Sequence, residues 1–115
     1  MKRLIATLHV LIACQVWAEP LTCSGAKACE KMWSDSQAAV SKISMMRIRI
    51  LTSDRIETYP ANMPGTLGVT VTKTPVGEDS YEIKYRFDCF QANDCELREV
   101  GERWFDMSVR HPKPF

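Results

Sequence analysis

Between Ala26 and Ser44, apolar and small residues return at steps of three and four, the period of an α-helix with one buried face. The charged residues of this stretch fall largely outside that face, and neither Gly nor Pro interrupts it. Ser24 stands where its side chain could cap the first turn. We therefore expect one amphipathic helix over residues 26–44. Its apolar face consists of Cys29, Met32, Trp33, Ser36, Ala39, Val40 and Ile43.

From residue 46 onward the period changes to two, which predicts β-strands separated by turn-forming residues. The predicted strands are MRIRIL (46–51), RIETY (55–59), LGVTVTKT (67–74) and SYEIKYRFDCF (80–90). The turns between them are Ser53-Asp54, PANMPGT (60–66) and PVGED (75–79). The last of these strands alternates most clearly, because Tyr81, Ile83, Tyr85, Phe87 and Cys89 share one face.

The segment RWFDMSVR (103–110) also alternates and places Phe105, Met107 and Val109 on one side, so it is predicted to form a final strand. These elements predict an α+β fold. In it, one N-terminal amphipathic helix packs on a four- to five-stranded antiparallel meander. The helix would cover the apolar face of the sheet and leave the charged face solvated.

The first 18 residues have the features of an export signal. Lys2 and Arg3 precede an apolar run, and Val16-Trp17-Ala18 is a small-residue cleavage pattern. The apolar run is far shorter than the ~20 residues of a membrane-spanning helix. We expect cleavage after Ala18, which leaves residues 19–115 as a single small domain without an integral membrane segment.

An alternative processing route begins at Cys14. The segment Leu11-Ile12-Ala13-Cys14 resembles a bacterial lipobox, in which the cysteine is lipidated after removal of residues 1–13. Either route removes Lys2 and Arg3, which lowers the basic residues from 15 to 13 against 14 acidic ones. A balance of −1 gives no electrostatic reason to expect binding to nucleic acid.

Either route also leaves four of the five cysteines: Cys23, Cys29, Cys89 and Cys95. An even number of cysteines in a short exported chain is typical of a disulfide framework. Three pairings are open, and the local one, Cys23–Cys29 with Cys89–Cys95, is favoured. It requires the helix to begin between the first two cysteines and the chain to reverse between the last two. Structural zinc sites use closer cysteine pairs, so no metal is expected.

The residues that catalysis requires are few. His111 is the only histidine beyond the leader, and it lies in the tail beside Pro112. No glycine-rich phosphate loop is present, and no cofactor is expected. The enzymatic alternative is a small hydrolase that uses paired carboxylates, either Asp94 with Glu96 or Glu99 with Glu102. We expect the protein not to be an enzyme.

Binding is the remaining function class. The segment YPANMPG (59–65) places Tyr59, Asn62 and Met63 on a backbone stiffened by Pro60 and Pro64, so little entropy is lost when a partner binds. Aromatic and Met side chains are favoured at protein contacts. The candidate partner-binding residues are Tyr59, Asn62, Met63 and Pro64.

In size, leader and cysteine content the chain resembles small exported bacterial proteins that neutralise enzymes of the cell envelope, namely immunity proteins and inhibitors of lysozymes or proteases. This resemblance implies a periplasmic, non-enzymatic module that recognises another envelope or secreted protein. The alternative is a structural or accessory envelope component, lipid-anchored through Cys14. The sequence leaves the partner and the oligomeric state open.

Overall fold

The structure, a computed structural model, describes residues 20–92 and 95–110. These residues form an α+β fold with one five-stranded antiparallel sheet and two helices. The elements in chain order are β1 (Leu21–Ser24), α1 (Ala26–Ser44), β2 (Ile48–Leu51), β3 (Arg55–Thr58), β4 (Gly68–Gly77), β5 (Ser80–Asp88) and α2 (Glu96–Arg110).

The strand order in the sheet is β1-β5-β4-β3-β2. Strands β2 to β5 are the predicted meander, and β1 extends it by pairing antiparallel with β5. Strand β4 continues past its predicted end, through Pro75 to Gly77. The pairing of β3 with β4 ends at Thr72. Pro75 therefore has no strand partner on the β3 side, and the missing amide hydrogen of proline leaves no ladder hydrogen bond unmade there.

The hydrophobic core lies between one face of the sheet and both helices. Tyr85 and Phe87 meet Phe105 of α2, with ring centroids 4.7 Å and 6.0 Å away respectively. Such tilted and edge-to-face pairs add to the stabilisation that burial provides. The buried core comprises Leu21, Ala39, Val40, Ile56, Leu67, Val69, Val71, Ile83, Phe87, Phe105 and Val109.

The predicted range 26–44 is helical, but α1 does not precede the sheet, because β1 comes before it. Ser24 is not its cap, as it is the last residue of β1. The N-cap residue is Gly25, so no side chain caps the first turn of the helix. Gly25 has φ 92°, a conformation that suits glycine, and its amide donates to the carbonyl of Asp79 at 2.7 Å.

The prediction of a single N-terminal helix and a C-terminal strand is wrong, because residues 96–110 form a C-terminal helix, α2. The alternation of Phe105, Met107 and Val109 was misleading, since α2 has apolar residues on more than its buried side. Phe105 and Val109 are buried and one turn apart, whereas Met107 is exposed. Gly101 permits close packing: an added Cβ would lie 2.8 Å from Leu67 Cδ1 and 3.1 Å from the Phe87 ring.

Both cysteine pairs are disulfides with the favoured local connectivity. The Cα atoms of Cys23 and Cys29 are 5.2 Å apart, and those of Cys89 and Cys95 are 6.3 Å apart. The first bridge joins β1 to the first turns of α1, and the second closes the loop that leads into α2. Each disulfide therefore fixes the start of one helix.

The solvent face of the sheet carries cross-strand charges. Glu57 on β3 accepts hydrogen bonds from Arg49 on β2 at 2.5 Å and from Arg55 at 2.7 Å. These two guanidinium groups lower the pKa of Glu57 below its ordinary value. Among the residues that the structure describes, no helix has both the length and the apolar character that a membrane crossing requires.

Candidate functional site

The predicted binding loop forms one wall of an open concave surface of about 750 Å³. The other wall is the short connection that leaves α1 and enters β2. We call this surface the Met groove. Its lining residues are Met45, Met46, Arg47, Tyr59, Pro60, Ala61, Asn62, Met63 and Thr66.

The two walls are joined by hydrogen bonds at the end of α1. The buried Ser44 hydroxyl donates to the Leu67 carbonyl at 2.7 Å, and the Leu67 amide donates to the Ser44 carbonyl at 3.1 Å. The Met46 amide donates back to the Ser44 hydroxyl at 3.0 Å. Because Ser44 is fully buried, these bonds are shielded from water and fix the end of the loop relative to the helix.

A tight turn shapes the loop itself. The Thr66 hydroxyl and amide both donate to the Met63 carbonyl, at 2.7 Å and 3.2 Å. Gly65 takes φ 91°, a backbone conformation that an L side chain rarely adopts. Met63 therefore protrudes from a turn whose backbone hydrogen bonds are largely internal.

Tyr59 is fixed at the other end of the loop. Its amide donates to the carbonyl of Arg47 at 2.9 Å, which ties the loop to the opposite wall. The guanidinium carbon of Arg49 lies 5.7 Å from the centre of the Tyr59 ring, at cation–π distance. Since Arg49 also pairs with Glu57, the tyrosine ring rests on a cation that is itself held in place.

The groove exposes large apolar side chains. Met45 is 71 % exposed, Met63 54 % and Tyr59 46 %. Grouped exposed apolar residues commonly mark interaction sites, whereas scattered ones do not. Arg47 is also exposed, and it makes no side-chain ion pair with any residue in the described part of the chain. The lining of the groove therefore contains one cation, Arg47, and no carboxylate.

Met45 adopts an unfavourable backbone conformation. It follows the last residue of α1 with φ 66° and ψ 8°, the left-handed conformation in which helices usually place glycine. A side chain at this position costs on the order of 1 kcal/mol relative to glycine. Among the described residues, Met45 nevertheless has the most exposed large apolar side chain.

Three of the four predicted binding residues, Tyr59, Asn62 and Met63, line the groove, whereas Pro64 belongs to the turn but not to the lining. Sequence analysis missed the opposite wall, Met45 to Arg47. Two methionines beside an arginine at a helix end were visible in the sequence, but no local pattern indicates that they lie against residues 59–63.

Those residues considered for catalysis that the structure describes do not form a comparable site. Glu99 and Glu102 lie on α2 and do not line the groove, and Glu102 pairs with Arg98 at 3.8 Å. Glu96 is exposed at the start of α2. Within residues 20–92 and 95–110, no three His, Cys, Asp or Glu side chains converge as metal ligands. Asp94, His111 and the lipidation candidate Cys14 lie outside the described residues.

Comparison with protein-family models, with curated proteins and with solved structures finds no significant match to this chain. The fold and the Met groove thus define a small, disulfide-bonded α+β protein with an exposed apolar surface.

Proposed function

We propose that the chain is an exported, non-enzymatic binding module of the immunity- or inhibitor-protein type. In this proposal it recognises another protein of the cell envelope through the Met groove. The observation that carries the proposal is the combination of exposed apolar side chains with a firmly held backbone. Met45, Tyr59 and Met63 are exposed, yet hydrogen bonds to Arg47, Thr66 and Ser44 fix the chain that carries them.

The groove suits a protein partner because it is open and lined by flexible methionines. Ligand pockets for small molecules enclose most of their ligand, which an open surface cannot do. Methionine side chains adapt to the shape of a facing apolar surface and are common where proteins bind partners. A backbone that is already ordered limits the entropy lost on association.

The charges of the groove indicate the chemistry of the partner. Arg47 lies beside Met46 and faces a lining without carboxylates. An apolar side chain of the partner would enter between Met45 and Met63, and a neighbouring Asp or Glu would pair with Arg47. We therefore infer a partner surface that combines a protruding apolar residue with negative charge.

The two disulfides support export, because such bonds persist in oxidising compartments and are rare in the cytosol. Both lie outside the groove and fix helix starts, so oxidation is expected to stabilise the fold that presents the groove. A periplasmic location fits both the disulfides and the leader-like residues 1–18.

The proposal is tested by capturing proteins from an envelope extract of the source cell with immobilised wild-type protein, then purifying and titrating the captured protein. We expect Met63→Glu and Arg47→Glu each to weaken binding at least tenfold, since one inserts a charge into the apolar contact and the other reverses the cation. Val76→Glu is the matched control, because Val76 is equally exposed but lies on β4 outside the groove.

Three results would contradict the proposal. One is that the wild type captures no protein; another is that the captured protein binds all variants equally. The third is turnover of a substrate that is lost in Glu99→Gln or Glu102→Gln, which would favour a hydrolase. The mass of the exported protein separately distinguishes a start at Glu19 from a lipidated Cys14.

A further inference from the structure

Helix α2 carries a second apolar face that the fold does not use. Its exposed large apolar residues recur at steps of three, four and three, so they align along one side of the helix. Their exposures range from 38 % to 59 %. We call this face the α2 stripe, and it consists of Leu97, Val100, Trp104 and Met107.

The α2 stripe is separate from the buried side of the helix. Gly101, Phe105 and Val109 face the core at steps of four. At about 100° per residue they occupy an arc next to the stripe, and the charged residues other than the partly buried Arg98 occupy the remaining arc. Helix α2 is thus apolar over more than half of its circumference, as expected for a helix packed on two sides.

The spacing of the stripe is that of a helix-pairing seam. Steps of three and four are the a and d positions of a heptad, which interlock with the same positions of a facing helix. When two copies lie antiparallel, Leu97 of one faces Met107 of the other, and Val100 faces Trp104. Leu97 then meets Met107, which has a similar volume, and Val100 meets the larger Trp104; each layer occurs twice.

The charges at the two ends of α2 favour this antiparallel arrangement, whereas Arg103, at the centre of the same flank, faces Arg103 of the other copy. Glu96 and Arg110 border the stripe on the same side and at opposite ends of α2. Antiparallel pairing brings Glu96 of each copy towards Arg110 of the other, where it would join the ion pair that Arg110 already makes with Asp106 of its own helix at 2.8 Å. Parallel pairing would instead place Glu96 beside the uncharged Gly101.

We propose that α2 is a homodimer interface, in which the α2 stripes of two copies pack antiparallel about a twofold axis. A membrane surface is the weaker alternative, because α2 carries four acidic residues against three arginines, and anionic lipids would repel this charge. The four side chains of the stripe are only 38 % to 59 % exposed, so they cover less area than the ~800 Å² per partner of a stable interface. We therefore expect a weaker dimer than one with an interface of standard size.

Sedimentation equilibrium of the purified, oxidised protein from about 10 µM to 1 mM tests the proposal. We expect a reversible monomer–dimer equilibrium, and Val100→Glu should raise the dissociation constant at least tenfold because it places two charges in the interface. Val76→Glu, the same substitution at an exposed position on β4, should leave the equilibrium unchanged. Glu96→Lys should weaken the dimer severalfold, since it opposes Arg110 of the other copy.

A protein that stays monomeric to 1 mM would overturn the proposal, and so would a dimer that Val100→Glu leaves intact. A dimer that is weakened by Val100→Glu but unchanged by Glu96→Lys would overturn the antiparallel arrangement. Binding of the monomer to vesicles of phosphatidylethanolamine and phosphatidylglycerol, abolished by Trp104→Glu, would identify lipid as the occupant instead. None of these results depends on the Met groove, so this inference and the proposed function fail separately.

Discussion

The two helices lie on the same face of the sheet, and each starts beside a disulfide with the same six-residue spacing. They differ in how much of their apolar surface the fold buries. The large apolar residues of α1, Met32, Trp33 and Ile43, are all at least partly buried against the core. Helix α2 buries Phe105 and Val109 but leaves the four residues of the α2 stripe exposed.

This difference distinguishes apolar surface that the fold uses for packing from apolar surface that is left available for interaction. An amphipathic helix needs one apolar face to pack on a sheet, and α1 has no more than that. The second face of α2 contributes nothing to packing within the described residues and exposes apolar area to water. The Met groove, where α1 ends, likewise exposes methionines beyond what the core uses.

The largest expected change in the free energy of unfolding comes from the contrast between the two faces of α2. Phe105→Ala should lower the free energy of unfolding by about 3–5 kcal/mol, because it removes a fully buried ring from contact with Tyr85 and Phe87. Trp104→Ala, next to it in sequence, should change stability by less than about 0.5 kcal/mol. Urea denaturation at low micromolar concentration measures both, and equal losses would show that the two faces are not distinct.

The two disulfides allow a comparison of the helix starts. Both close loops of equal length, which accounts for roughly 2.4 kcal/mol each in the chain-entropy model. Cys23 and Cys29 are buried, whereas Cys89 and Cys95 are only partly buried. We expect Cys23→Ala/Cys29→Ala to cost about 3–4 kcal/mol and Cys89→Ala/Cys95→Ala about 2. Melting temperatures of both double variants test this order, and the reverse order would contradict it.

Gly101 sharpens the account of how α2 approaches the sheet. Alanine there gains about 1 kcal/mol in helix propensity but places a methyl group against Leu67 and Phe87, which are both buried. We expect a net loss of about 1 kcal/mol. Ser108→Ala, at an exposed position of the same helix, should instead stabilise by a few tenths. A stabilising Gly101→Ala would show that α2 can move away from the sheet.

A further prediction is a pH dependence at the contact between β5 and α2. Burial, followed by the nearby Asp106 carboxylate, raises the pKa of Tyr85 from 10.0 to about 12. The unfolded chain therefore ionises this hydroxyl at lower pH than the folded protein does. The associated stability is present below pH 10 and is lost as pH rises towards 12.

Tyr85→Phe tests this dependence, since the variant should lose less stability than the wild type between pH 9 and 11. Urea denaturation at several pH values measures the stability of both proteins. Tyr59→Phe is the control, because Tyr59 lies at the groove, away from Asp106. An unchanged slope in Tyr85→Phe would indicate that Tyr85 ionises normally in the folded protein.

Local patterns were sufficient to predict α1 and strands β2 to β5, and they favoured the observed disulfide pairing over two alternatives. Each depends on residues close in sequence: the helical period of 26–44, the alternation of 80–88, and two cysteine pairs that helix and strand geometry constrain. Strand β1 was missed because its segment LTCS directly precedes the helix, and its last residue, Ser24, was interpreted as the helix cap. Helix α2 was mistaken for a strand because apolar residues on two adjoining faces produce an accidental alternation.

Only one of the two walls of the Met groove could be predicted from the sequence. Prolines and exposed residue types identified the loop at residues 59–65. Its opposite wall depends on the bonds between Ser44 and Leu67, which are distant in sequence. The left-handed conformation of Met45 is likewise a consequence of how α1 must end to enter β2, and methionine at that position gives no sign of it.

Met45 gives the most direct test of the claim that the groove is kept for binding. A single substitution, Met45→Gly, removes the exposed side chain and relieves the left-handed backbone. We expect the free energy of unfolding to rise by about 0.5–1 kcal/mol, and the affinity for the captured envelope protein to fall at least fivefold. A variant that is more stable and binds as tightly as wild type would contradict the account, because Met45 would then have no role in recognition.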